Sequence, residues 1–387
     1  MIYLDHHSTT PVDPRVLEAM LPFLRDDFGN AASRTHAFGW RAEAAVEMAR
    51  EELARALGAA SPAEVVFTSG ATESNNLAIL GLADALASRG DHLVVSAIEH
   101  PSVLDPCAFL ERRGKRVTRL PVDEHGLVDP AVVAEAITDE TVLVSVMLAN
   151  NEIGVVEPLA EIGRICAERG VALHTDATQA LGKLPVDVGG LGVALLSASA
   201  HKLHGPKGVG ILWVRRRPRV RLTPLLHGGG HERGLRSGTL PVPLVVGFGE
   251  AVRLAEAERE AEAKRIAELR DRLWQRIQAE VPGTLLNGHP TRRLPNNLHL
   301  SFEGVDADQL VSELREVAVS TGSACSSAIP EPSHVLRALG LPEARVRSGV
   351  RIGVGRFNTA DEIDAAAEAI IGHVSRLRGA RRAVGAG

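Results

Sequence analysis

Glu64-Val-Val-Phe-Thr-Ser-Gly-Ala-Thr-Glu-Ser74 passes from a β-branched run, through Gly70, into a helical stretch predicted over 72–86. The same alternation repeats as far as residue 215. Short β-branched runs at 92–96, 117–120, 142–146, 171–174, 194–197 and 209–214 are separated by helical stretches that begin near Ser102, Pro130 and Pro158. Alternation of this kind builds βαβ crossovers, a mainly parallel sheet with helices on both faces. Ligands of such sheets sit beyond the carboxyl ends of the strands. Residues just past each strand are therefore the candidates for chemistry.

Working outward, 242–281 reads as one long helix, with Ile266, Leu269, Leu273, Ile277 and Val281 at steps of three and four opposite a charged face. It connects to a smaller α+β unit with strands at 297–302 and 347–353 and helices at 307–315, 332–339 and 360–377. The expected division is a large domain over 13–255 and a small one made of 1–12 with 256–387. The arginine-rich tail from Arg376 is expected to be frayed.

The 387 residues are 45% apolar, 24% charged and 3% aromatic, which suits one large core or two moderate ones and excludes disorder, collagen and coiled coil. A net charge of −5 leaves no basic field to attract nucleic acid or anionic lipid non-specifically. Cys107, Cys166 and Cys325 are too few and too dispersed for a disulfide framework, which favours a reducing compartment. The first residues lack the pattern of a signal peptide, and no apolar run is long enough to span a bilayer, so a cytoplasmic protein is expected.

Gly70-Ala-Thr72 joins a strand end to a helix start, where free N–H groups, the helix dipole and a hydroxyl form an anion cradle or an ordinary cap. No Gly-x-x-x-x-Gly-Lys-Ser/Thr accompanies it, so a cofactor phosphate fits better than ATP. Only five of the 43 basic residues are lysines, and Lys202 stands between a strand end and a Gly-Pro turn, a setting where desolvation favours Schiff-base chemistry. Asp176 follows another strand. A lysine imine with a carboxylate on a pyridine nitrogen is what pyridoxal phosphate requires. His100, also past a strand, is placed to lie over a flat ring or simply to cap a helix. Arg356 is a candidate clamp for a carboxylate. Cys325 lies in a run of small polar residues closed by prolines and reads as an accessible thiol, whereas Cys166 has apolar neighbours and Cys107 sits on a helix without chemistry. His227 and His231 fall in a glycine-rich stretch without a helix, so no resident metal is expected there.

Together Thr68-Ser-Gly-Ala-Thr-Glu-Ser74, Asn150-Asn-Glu-Ile-Gly154, Asp176-Ala-Thr-Gln179, His201-Lys202, the stretch from Gly228 to Thr239, and Gly322-Ser-Ala-Cys325 resemble the cysteine desulfurases of the NifS/IscS type, within the class V aminotransferase-like enzymes. The resemblance implies the fold type I of pyridoxal-phosphate transferases, an aspartate aminotransferase-like α/β fold with a seven-stranded sheet. It implies pyridoxal 5'-phosphate as an internal aldimine on Lys202, with Asp176 on the ring nitrogen, Gln179 on the ring hydroxyl and His100 stacked on the ring. Ala71, Thr72, Ser199 and His201 would hold the phosphate, and Thr239 would reach the phosphate of a neighbouring subunit in a homodimer. Asn151 and Arg356 would hold the substrate carboxylate. Cys325, on a loop at about 320–332, would take the sulfur of L-cysteine as a persulfide, release L-alanine, and pass the sulfur to an acceptor such as an iron–sulfur scaffold or a tRNA-thiolation enzyme. The same thiol could ligate an iron–sulfur cluster transiently. A selenocysteine lyase and an aminotransferase remain alternatives on the same cofactor. His6-His7-Ser8 departs from the family's usual Asn-x-Ala, and Ala31 from its usual proline.

Overall fold

The computed structural model describes residues 1–322 and 332–385. Its strands are β1 (Ile2–Tyr3), β2 (Val65–Thr68), β3 (His92–Ser96), β4 (Arg116–Leu120), β5 (Thr141–Ser145), β6 (Ala172–Asp176), β7 (Leu195–Ser199), β8 (Gly210–Val214), β9 (Thr284–Leu286), β10 (Asn297–Phe302), β11 (Val317–Ala318) and β12 (Gly349–Gly353). A seven-stranded sheet has the order β2-β8-β7-β6-β5-β3-β4, in which β8 alone runs against its neighbours. Strands β2, β3, β5, β7 and β8 are buried at every position. That is the pattern of a sheet covered on both faces, and it explains why 65–67, 93–95, 142–144 and 211–214 are unbroken apolar runs rather than alternating ones.

Two helices precede the sheet that the strand–helix alternation does not reveal, Pro14–Arg25 and Ala37–Ala56. The first is started by Asp13, whose carboxylate accepts from the Arg15 N–H, with proline at the first helical position. Half of the residues the second buries are alanines, Ala42, Ala45, Ala49 and Ala54, with Gly39 and Arg50 among the rest, so its inner face carries little hydrophobic contrast.

The long helix Val242–Glu280 serves two cores. Val245, Phe248, Val252 and Ala255 pack into the large cluster against the sheet. Ile266, Leu269, Leu273 and Ile277 pack instead with Leu298, Leu300, Phe302, Val350 and Ile352 of the antiparallel sheet β12-β10-β9. The chain start joins this second group, with β1 paired to β11 and Asp5 bridged to Gly353. The last helix corrects the expectation of a frayed tail, because Ala360–Gly385 continues past Leu377. Leu377 is buried, and the Arg378 guanidinium donates to the carbonyls of Glu303 and Pro282, which holds that turn against the body. No helix among the described residues is long and apolar enough to cross a membrane.

Candidate active site

The carboxyl ends of β2, β6 and β7 and the segment after β3 open onto one cavity of about 620 Å³, a volume suited to a cofactor with a small substrate. It is lined by Ala71, Thr72, His100, Asn151, Asp176, Gln179, Ser199, His201 and Lys202, nine of the twelve residues singled out above. Thr239, Arg356 and Cys325 remain to be placed.

At one end the helix Ala71–Ala85 starts at Gly70 with no side-chain cap, and its first residues line the cavity together with Ser199 and His201. Gly70 has φ +153 and Gly210 packs on it so closely that a Cβ there would lie 2.6 Å from the Gly70 Cα. Only glycines allow this approach. Burial, with Lys202 and Lys207 nearby, pushes His201 down to about 4, so it is a neutral hydrogen-bonding partner. Thr239 is exposed and does not line the cavity of its own chain. Its stretch is tied beside the cradle by Glu232, which is buried against both Arg50 nitrogens at 2.8 Å, and by the Arg236–Glu73 ion pair at 2.8 Å.

At the other end Asp176, 6% exposed, accepts from the Thr178 N–H at 2.9 Å and from Asn75 Nδ2 at 2.8 Å. His100 is the N-cap of the helix Pro101–Arg112, its Nδ1 accepting from the Ser102 N–H at 3.1 Å. The capping reading offered for it from sequence holds, and the same residue lines the cavity. Burial lowers its pKa despite the nearby Asp176 carboxylate.

Lys202 follows β7 in a short 3-10 turn, and its Nζ donates to the carbonyls of His7 at 2.6 Å and Ser8 at 2.5 Å. Behind it lies a second lysine that sequence reading did not select. Lys183 Nζ donates to the carbonyls of Gln179 and Lys202, and burial together with Lys202 lowers it to about 7. Of the two neighbouring lysines, Lys183 is the one driven toward its neutral amine.

The clamp assignment is corrected. Arg356 does not line the cavity; its guanidinium is taken by Asp13 at 2.8 Å and Glu262 at 2.8 Å in a smaller pocket behind Lys202. Arg351, five residues earlier on β12, does line it, with Nη1 on the Asn151 carbonyl, Nη2 on Asp5, and a buried Nε without a partner. The Oδ1 of Asn151 is likewise buried without a partner. Arg351 lies within β12 and Arg356 three residues past its end, so the rule that favours residues beyond strands selected the wrong arginine. Cys325 lies outside the described residues. Cys107 and Cys166 are buried, and burial pushes both thiols up to about 12.

A donor cradle at one end, a paired carboxylate at the other and a lysine between them fit a phosphorylated pyridine aldehyde. The family model for aminotransferase class V matches residues 2–366. The chain belongs to the class V aminotransferase family. It is 54% identical over 377 residues to the cysteine desulfurase IscS of Anaeromyxobacter sp., covering 97% of this chain and 93% of that one. Against the mouse cysteine desulfurase the identity is 53%, covering 97% of this chain and 82% of that one. A solved structure described as a NifS-like protein superposes with a TM-score of 0.90 at 37% identity, covering 97% of this chain and 99% of the other. Cysteine desulfurases of this family depend on pyridoxal phosphate.

Proposed function

We propose that the chain is a pyridoxal-phosphate-dependent cysteine desulfurase that converts L-cysteine to L-alanine and leaves the sulfur on Cys325. The observation that carries this is the convergence of Lys202, Asp176, Gln179 and His100 around the Thr72, Ser199 and His201 cradle in one cavity. The relatives named above support the substrate.

When bound, the cofactor supplies an electron sink for charge that develops at the substrate Cα. The residues around it would divide the remaining work. The N–H groups at Ala71 and Thr72, with Ser199 and His201, bind the phosphate. The Asp176 carboxylate, held by Asn75 and the Thr178 N–H, stabilises a proton on the ring nitrogen. Lys202 Nζ removes the Cα proton. His100 covers the ring and moves a proton at Nε2. Arg351, in place of Arg356, receives the substrate carboxylate together with the Asn151 side chain. The Cys325 thiolate takes the substrate sulfur, forming the new S–S bond as the Cβ–S bond breaks, and Cβ is then protonated to give alanine.

We further infer a homodimer in which Thr239 completes the phosphate site of the partner subunit, a cytoplasmic location, and delivery of the persulfide sulfur to an acceptor protein for iron–sulfur cluster assembly or thiolation. The decisive experiment incubates wild type and Cys325→Ser with L-cysteine and a reductant and quantifies alanine and sulfide. Loss of both products in the variant, with its cofactor colour intact, is the expected result. Undiminished products would overturn the reading.

A further inference from the structure

His7, the middle residue of His6-His7-Ser8, occupies the junction between the large sheet and the antiparallel sheet β12-β10-β9. It lines the cavity, is 1% exposed and is held neutral by burial and by Arg351. Lys183 and Lys202 are the other cations that act on it.

The hydrogen bonds around the ring determine which nitrogen carries its proton. Arg293, a pure donor, gives a hydrogen to Asn297 Oδ1 at 2.8 Å, which fixes the orientation of the Asn297 amide. Asn297 Nδ2 then donates to the Glu152 carbonyl at 2.8 Å and to His7 Nε2 at 3.1 Å. His7 Nε2 is therefore an acceptor, and the neutral ring carries its hydrogen on Nδ1. Nδ1 lies 3.1 Å from Gln179 Oε1 and donates to it. The other end of that amide is also held, since Gln179 Nε2 donates to the His7 carbonyl at 2.9 Å. One hydrogen on Gln179 Nε2 remains for the cavity.

Two glycines clear the space for this chain of contacts. A Cβ on Gly353 would lie 2.8 Å from His7 Cδ2, and one on Gly154, whose φ is +73, would lie 2.4 Å from Asn297 Cγ. Both are positions where a larger residue would displace the ring or its donor.

We propose that His7 is a positioning residue that locks the Gln179 amide so that its nitrogen, and not its oxygen, faces the phenolic oxygen of the cofactor ring. The inference rests on the cofactor placement proposed above. Without the Nδ1 donor the Gln179 amide keeps only the residue 7 carbonyl to hold it, and the rotated orientation, nearly isosteric, puts oxygen against the phenolic oxygen. A donor at the phenolic oxygen stabilises its anion. Losing that donor therefore raises the pH at which the bound cofactor changes colour.

The test has two arms. In uniformly ¹⁵N-histidine-labelled, cofactor-free protein, long-range ¹H–¹⁵N spectra, assigned by comparison with His7→Asn, should show His7 neutral near pH 7 with its hydrogen on Nδ1. A hydrogen on Nε2 overturns the proposal. In the pyridoxal-phosphate-loaded enzyme, the visible absorbance is titrated in wild type, His7→Leu and His7→Asn, the last of which places an amide donor where Nδ1 stands. The midpoint should rise by about one pH unit in His7→Leu, the scale of one hydrogen bond to a charged oxygen. It should return toward the wild-type value in His7→Asn. An unchanged midpoint in a coloured His7→Leu enzyme overturns the proposal. Wild type that fails to colour refutes the cofactor reading instead, while the spectra of the cofactor-free protein still decide the state of His7.

Discussion

Asp176 and His100 are joined by two side chains. Asn75 Nδ2 donates to Asp176 Oδ2 and to Ser102 Oγ, each at 2.8 Å, and Ser102 Oγ lies 2.8 Å from His100 Nδ1. Because Asn75 and the Ser102 N–H are donors, the serine hydrogen points at Nδ1, and neutral His100 carries its own hydrogen on Nε2, toward the cavity. Ser102→Ala removes one of two donors to Nδ1 and should lower kcat for alanine formation by about tenfold, or about 1.4 kcal/mol of barrier. Ser102→Thr, which keeps the hydroxyl, should recover most of the loss. Asn75→Leu also strips Asp176 of a partner and should cost about a hundredfold. Steady-state kinetics with the cofactor absorbance recorded in parallel checks all three.

The two arginines of Val350-Arg-Ile-Gly-Val-Gly-Arg356 should separate cleanly. Arg351 lines the cavity and is 2% exposed, so Arg351→Ala should raise KM for L-cysteine by about fiftyfold through loss of a charge-assisted contact to carboxylate. Arg356 is spent on Asp13 and Glu262, so Arg356→Ala should leave KM alone and lower unfolding stability by about 2 kcal/mol, Asp13 still keeping Arg15. A raised KM in the Arg356 variant with normal stability would reverse the assignment.

The part of the fold that could be read from the sequence is the part where burial on both faces writes continuous apolar runs. His92–Ser96, with Leu93-Val-Val95 at its centre, is found where such a run predicts it, and Asn297–Phe302 is found where expected although its residues alternate between polar and apolar. The helix Ala37–Ala56 was opaque because alanine is apolar enough to bury yet gives no contrast. At the site, residues at strand ends could be found by position alone, whereas Asn75, Ser102 and His7 could not. His7 and Gln179 are 172 residues apart, and only the folded chain brings their amide and imidazole together. Arg356 misled because an arginine's role depends on which carboxylates surround it, and Asp13 and Glu262 are remote in sequence.

Glu157 provides a pH test away from the cavity. Its carboxyl is buried, with Oε2 accepting from the Val128 N–H at 2.9 Å and Oε1 without a partner, and burial raises it to about 8. A carboxyl raised above its unfolded value binds more protons in the native state, so its contribution is fully present below about pH 4.5 and is lost as pH rises toward 8. Glu157→Gln should match wild type in denaturant unfolding at pH 5 and exceed it at pH 8 by on the order of 3 kcal/mol. Equal stabilities at both pH values would show that the carboxyl is not protonated in the fold.

Gly322 and Gly340 make a matched pair for the last prediction. Their φ values are +80 and +71, so alanine at either position carries a left-handed backbone cost of about 1 kcal/mol. They differ in surroundings. Nothing lies within 4 Å of a Cβ on Gly340, whereas one on Gly322 would sit 2.7 Å from Glu152 Oε2. That carboxylate is itself engaged, accepting from Ser333 Oγ at 2.5 Å, and its backbone carbonyl receives the Asn297 amide that also serves His7. Gly340→Ala should therefore lose only the backbone cost in thermal unfolding and keep its turnover. Gly322→Ala must displace Glu152 as well, so it should lose stability beyond the Gly340 variant and lower kcat for alanine formation by about tenfold. Glu152→Gln combined with Gly322→Ala should not relieve the clash, because glutamine fills the same volume, whereas Glu152→Ala should relieve it at the cost of the Ser333 contact. If Gly322→Ala and Gly340→Ala prove equal in both stability and turnover, the close approach of Glu152 to Gly322 has no functional weight.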